Sequence, residues 1–213
     1  MSEKTTTKPE FIALGAGGRP LILASTSRYR QALLQRLGIP FTTIAPNADE
    51  SALAGETPGQ TALRLAETKA RSVAAAHPTA FIVGSDQVAD AEGRPVGKPG
   101  DREHARRMLS QLSGKIVVFH TGIALLDAAA GRCATALVDV RSTFRRLSEA
   151  EINAYLDREQ PYDCAGAVKS EGLGIALFDA IETDDPTALI GLPLITLTSM
   201  LRDAGVPVLM PRR

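Results

Sequence analysis

The chain has 213 residues and a mass of 22.5 kDa, with 44% hydrophobic and 23% charged residues, 18 glycines and 13 prolines. That is the mix of a globular protein able to bury a core in one large domain or two small ones, and it argues against disorder. Twenty-four Lys and Arg balance 24 Asp and Glu, so no global field favours a phosphate backbone and a general nucleic-acid binder is disfavoured.

A small cationic pocket remains compatible with this balance. No apolar run approaches the roughly 18 residues of a membrane helix, and the best, 116–126, is interrupted by His120 and Thr121. The first 18 residues lack the basic, apolar and small-residue order of a secretory leader, so the expected location is the cytoplasm, away from the membrane. Cys133 and Cys164 are expected as free, buried thiols. His77, His104 and His120 have no zinc-finger spacing.

Residues 1–18 read as a polar, Thr- and Gly-rich tail, and 19–213 as one domain. The fragment at 14–18 resembles half a dinucleotide fingerprint but lacks its third glycine. Residues 21–24 form a short buried strand, and Ser25 to Ser27 lead into a helix over 28–37 that Gly38 stops. Thr57-Pro58-Gly59-Gln60 is a capping box that opens a helix reaching about residue 76. A strand over 80–88 turns at Glu92-Gly93 and returns through Val96 to Lys98.

Asp101 caps a helix ending at Ser113-Gly114, and two long strands follow, 115–126 and 133–145. The second alternates Val138, Val140 and Phe144 against Asp139, Arg141, Thr143 and Arg145, so one face is wet. Ser148 and Glu151 form another capping box for a helix over 149–158. Residues 166–178 are expected to be extended and interrupted by glycine, and a last helix spans 193–203 before Gly205. Adjacent long strands in mid-chain favour a mixed α/β sheet covered by helices over a strictly alternating fold.

Four segments carry chemistry. Ser25, Thr26, Ser27, Tyr29 and Arg30 stand where a strand enters a helix, a place that attracts anions; the plainer reading is a serine cap beside solvated arginines. Lys69 lies within the apolar stripe of Ala62, Leu65, Ala66 and Val73, so it either extends out to water or reaches an anion in an internal cleft. Asp86, after an apolar run, either ends the strand or serves as a base or cation ligand, with Lys98 returned towards it by the hairpin and Glu50 in a loop. Lys169 to Gly174 either brings backbone close to a planar ligand or forms a bulge in a strand. Jointly, Arg30, Lys69 and Lys98 supply cations, Glu50 and Asp86 metal-competent carboxylates, and Glu171 an acceptor, the three kinds of partner a nucleoside triphosphate needs.

Six blocks resemble, in order, the Maf family of nucleoside triphosphate pyrophosphatases. They are Leu23-Ala24-Ser25-Thr26-Ser27 with Arg30, Asp49-Glu50, Ala66-Glu67-Thr68-Lys69-Ala70, Gly84-Ser85-Asp86-Gln87-Val88, Gly97-Lys98-Pro99 and Lys169-Ser170-Glu171-Gly172, within 21–209. The resemblance implies a mixed sheet of the inosine-triphosphate-pyrophosphatase type, with two lobes and a cleft. It implies hydrolysis of a nucleotide to monophosphate and pyrophosphate with a divalent cation, Mg2+ or Mn2+, commonly in a homodimer. Asp86 aligns on the proton acceptor; Ser25, Arg30, Lys69 and Lys98 align on residues expected to bind phosphate, and Glu50 with Asp86 on those expected to hold the metal.

Tyr29, Gln87 and Glu171 align on the positions that sort the family by base. Their combination is similar to the subgroup acting on 7-methyl-GTP, which carries tryptophan, glutamine and glutamate there. Arg28 stands where that subgroup has proline, and Gln31 replaces a second arginine. The alternatives are a pyrophosphatase for UTP, CTP or dTTP and a nucleotide-binding factor associated with cell division.

Overall fold

The computed structural model describes residues 18–209. Apart from Gly18, the expected tail and its glycine fragment lie outside these residues. In chain order the elements are β1 (Leu21–Ala24), α1 (Arg28–Gln35), β2 (Thr42–Ile44), α2 (Pro58–Ser72), β3 (Phe81–Ala91), β4 (Arg94–Val96), α3 (Arg102–Leu112), β5 (Ile116–Asp127), β6 (Arg132–Phe144), α4 (Glu149–Glu159), β7 (Phe178–Glu182) and α5 (Leu194–Asp203). Seven strands make one sheet in the order β2-β1-β3-β5-β6-β7, with β4 paired to β3. The β2, β1 and β3 strands run parallel, whereas β3, β5, β6 and β7 are successively antiparallel. This is the mixed α/β architecture expected.

Short-range chemistry sets the element ends. Both capping boxes form, Thr57 with Gln60 and Ser148 with Glu151, and Asp101 accepts from the His104 amide at 2.8 Å. Glu92 and Gly93 both take positive φ, 57° and 80°, which suits the twist of a two-residue hairpin. β3 and β4 therefore pair from Ala89 to Ala91, and β3 runs beyond the expected residue 88.

The pairing register puts the core on both faces of the sheet. On one face, Leu21, Leu23, Val83, Ile123 and Leu125 pack with Leu33, Leu34, Leu197 and Leu201 of α1 and α5. Farther along the same face, Ala89, Val117, Phe119, Val140 and Phe144 pack with Leu109, Ile152 and Leu156 of α3 and α4. The opposite face brings Ile22, Ala24, Ile82 and Ala124 against Ala66 and Ala70 of α2.

Three expectations are corrected. Residues 166–178 are not extended but coil through two 3-10 turns, Ala165–Ala167 and Leu173–Leu177, because Gly166 and Ala167 have positive φ and Gly174 packs on the Lys169 carbonyl, where a Cβ would sit 2.4 Å from its oxygen. Glu171 is consequently on a turn and not in a strand bulge. The strand β2 was not anticipated: three residues are too short for periodicity, and pairing with β1 makes it. Cys133 and Cys164 are free but only half-buried.

Candidate active site

A gap in the sheet creates the site. The last β1–β3 pair is Leu23 with Val83, and β4 pairs β3 only from Ala89. Between these points, residues 84–88 have a paired strand on the β5 side alone, and a cleft of about 740 Å³ opens along their free edge. Asp86 is thus in the middle of β3, not at its end.

Alternation along β3 aims Gly84 and Asp86 at one face and Ser85 and Gln87 at the other. On the first face α2 lies at backbone distance, because a Cβ on Gly84 would stand 2.1 Å from the Ala66 carbonyl oxygen and one on Gly122 would stand 2.3 Å from that of Ala62. This approach carries Lys69 to the carboxylates. Its Nζ is 2.5 Å from Asp86 Oδ1 and 2.8 Å from Glu50 Oε1, with Lys69 only 4% exposed and Asp86 8%. Lys69 therefore does not extend to water. The Lys69 hydrogen bond holds the Glu50 carboxyl below the usual carboxylate range against the opposing effect of burial, with further help from Lys98 and Arg30.

Glu50 is on the loop between β2 and α2, and a second ion pair sets that loop. Glu56 Oε2 accepts from the Leu53 amide at 2.9 Å and from Arg64 at 2.8 Å, while Arg64 also donates to the Ser51 carbonyl at 2.9 Å. The Arg64 hydrogen bond, the largest influence, lowers the Glu56 carboxyl to about 2.

At the start of α1, Ser27 caps the helix by accepting from the Arg30 amide, and buried Ser25 accepts from the Ser27 amide at 3.1 Å. Arg30 is not a solvated surface arginine. Its Nε donates to the Gly191 carbonyl at 2.8 Å, and the Ser85 hydroxyl lies 2.9 Å from the same oxygen. Burial lowers the Arg30 guanidinium pKa while Asp86 and Glu50 pull it back up. Lys98, exposed on the cleft wall, has no ion-pair partner among the described residues.

Tyr29 is half-buried, with the Arg28 guanidinium 4.8 Å from its ring centroid and 2.7 Å from its hydroxyl. Burial raises the phenol's pKa and pushes the neighbouring Cys164 thiol up to about 11, so this cysteine is not set up as a nucleophile. Gln87 donates through Nε2 to the Ala188 carbonyl at 2.8 Å and lies 3.0 Å from Thr121 Oγ1, which joins it to the 3-10 turn Pro186–Ile190. Exposed Glu171 also lines the cleft and has no hydrogen bond among the described residues.

Ser25, Tyr29, Arg30, Glu50, Lys69, Asp86, Gln87, Lys98 and Glu171 all line this one cleft. Glu50 and Asp86 already converge on a single cation, the Lys69 ammonium, and hard carboxylate oxygens of this kind fit a divalent cation. The Gly191 carbonyl and the carbonyls of the 186–190 turn were not foreseen. Backbone groups carry no residue signature, although Asp184-Asp185-Pro186 does mark a turn.

The family model described as Maf-like protein matches residues 20–204. Curated relatives named 7-methyl-GTP pyrophosphatase include one from Albidiferax ferrireducens, 56% identical over 90% of this chain and 96% of its own. One from Polaromonas sp. is 53% identical over 94% of this chain and 91% of its own, and one from Burkholderia orbicola is 54% identical over 91% and 93%. Among solved structures, the Staphylococcus aureus Ham1 protein gives a TM-score of 0.44 at 14% identity, covering 60% of this chain and 73% of that one. With the family match running from β1 to the end of α5 and relatives above 50% identity over nearly the whole chain, this protein belongs to the Maf-like protein family.

Proposed function

We propose that this chain hydrolyses 7-methyl-GTP to 7-methyl-GMP and pyrophosphate, clearing a modified nucleotide from the cytoplasmic pool. The observation that carries the reading is the buried Lys69, bridging Glu50 and Asp86 at the open edge of β3 in a cleft that Tyr29 and Glu171 also line. The names of the relatives support it.

The reaction is attack of a water oxygen on the α-phosphorus. That P–O bond forms as the bond to the bridging oxygen of the β-phosphate breaks, and pyrophosphate leaves with the electron pair. Asp86 takes the water's proton. Its Oδ1 is engaged by Lys69, whereas Oδ2 has no hydrogen bond among the described residues and is the assigned acceptor. Arg30, Lys69 and Lys98 neutralise charge on the phosphate chain, and Ser25 with the free amides at the start of α1 orients it. Glu50 and Asp86 would hold the divalent cation, which supplies further neutralisation of the phosphate oxygens when bound.

Methylation at N7 makes guanine cationic. Tyr29, whose ring already attracts the Arg28 guanidinium, offers the base a π face, and Glu171 offers it a negative charge and an acceptor for N1–H and the amino group. The homodimer implied by the family resemblance belongs to the same proposal, and light scattering tests it.

The decisive assay follows pyrophosphate and monophosphate together, with Mg2+ or Mn2+, on methylated and canonical nucleotides. Equimolar products with 7-methyl-GTP preferred are expected. Binding without pyrophosphate release overturns the enzyme in favour of a nucleotide sensor, and a preference for UTP, CTP or dTTP overturns the base assignment.

A further inference from the structure

Glu171 can serve a base only if its carboxylate is held still and left unpaired. It stands on a turn, one residue from Gly172, and has the ammonium of Lys169 two residues away in sequence. Both requirements are met from α4. Tyr155 and Glu159, four residues apart, lie on the same face of that helix. The buried Tyr155 hydroxyl donates to the Ala167 carbonyl at 3.0 Å and accepts from the Lys169 amide at 3.1 Å. Glu159 Oε1 accepts from the Leu173 amide at 2.5 Å, and Oε2 accepts from Lys169 Nζ at 2.7 Å. The chain crosses over this carboxylate at glycine distance, for a Cβ on Gly172 would lie 2.5 Å from Glu159 Oε1.

Residues 169 and 173, flanking Glu171 two positions to either side, are therefore tied to one carboxylate. That carboxylate also pairs Lys169, the cation two residues from Glu171 in sequence. Without Glu159, Lys169 is free to turn to Glu171 and cancel the charge meant for the base. Glu171 itself makes no hydrogen bond or ion pair among the described residues.

We propose that Glu159, seconded by Tyr155, is a positioning residue for base discrimination. It fixes the turn that carries Glu171 and sequesters Lys169 so that Glu171 remains available to a cationic purine. The inference rests on the reading of Glu171 as the base-recognising carboxylate.

The test is the ratio of kcat/KM for 7-methyl-GTP to that for GTP in wild type, Glu171→Gln, Glu159→Gln, Tyr155→Phe and the double variant Glu159→Gln/Lys169→Met. Glu159→Gln should lower the ratio about tenfold, the scale of a hydrogen bond to a charged group, mainly through KM for 7-methyl-GTP. Removing the released cation in the double variant should recover most of the ratio. If Glu159→Gln reduces kcat on both nucleotides alike and leaves the ratio intact, its role is structural and the proposal falls. If Glu171→Gln itself leaves the ratio unchanged, the reading of Glu171 falls and takes this one with it. Failure of Glu159→Gln to fold passes the test to Tyr155→Phe: a lowered ratio supports the proposal and an unchanged one overturns it.

Discussion

Lys69 sets the electrostatics of the cleft. Burying an ammonium is unfavourable unless it is paired, and two carboxylates from different parts of the chain offset that cost. Its position in an apolar stripe was legible in the sequence, but Glu50 lies 19 residues upstream and Asp86 17 downstream. Local spacing does not choose such partners. The same arrangement defines a test of Asp86. An amide there keeps the shape and leaves Glu50 to pair Lys69, but it cannot accept the water's proton. Asp86→Asn is expected to lose about 10²- to 10⁴-fold in turnover while calorimetry still records nucleotide binding; a variant within a few-fold of wild type contradicts the assignment.

The site depends on how closely α2 approaches the sheet. Gly84 and Gly122 let the helix backbone sit directly on β3 and β5, and any side chain at Gly84 must push it away. Gly84→Ala should destabilise the protein by about 1–3 kcal/mol and lower turnover by shifting Lys69 relative to Asp86, as seen in thermal unfolding and pyrophosphate release; an unaffected Tm would mean that α2 sits farther off. The loop carrying Glu50 has its own clamp, Glu56 with Arg64. Because the Glu56 carboxyl is lowered from its ordinary 4.5 to about 2, the clamp's contribution is complete above 4.5 and declines as pH falls towards 2. Glu56→Gln removes it. The Tm gap between wild type and Glu56→Gln should thus be widest above 4.5 and close on acidification, and a gap independent of pH would reject the clamp. The capping boxes and the hairpin turn were legible here because each is written within four residues, whereas the coil over 166–178 was not: its glycines serve contacts with α4 and with the turn itself.

The cleft opens along the free edge of β3, and one face of the same sheet carries two cores, one under α1 and α5 and the other under α3 and α4. Residues of the β1–α1 loop, α2, β3 and the turn after α4 line the cleft together, so a nucleotide bound there should stabilise the whole fold. A non-hydrolysable 7-methyl-GTP analogue at about a hundredfold excess over Kd contributes ~2.7 kcal/mol. For a chain of this size, that raises Tm by about 5–10 °C. Asp86→Asn should show the same rise. No shift with either protein would mean that the folded chain does not bind the nucleotide.

Composition, caps, strand alternation and the order of six short blocks are enough to establish a mixed α/β protein with a charged site and its family resemblance, because each is a local property of the chain. They leave open which side chains meet. The free edge of β3, the choice between solvent and anion for Lys69, the anchoring of Arg30 on the Gly191 carbonyl and the tether from Glu159 to the Glu171 turn follow from strand pairing and from backbone surfaces brought together across long separations. Strand pairing and backbone approach depend on atoms every residue shares, so identity at a position does not encode which side chains they bring together.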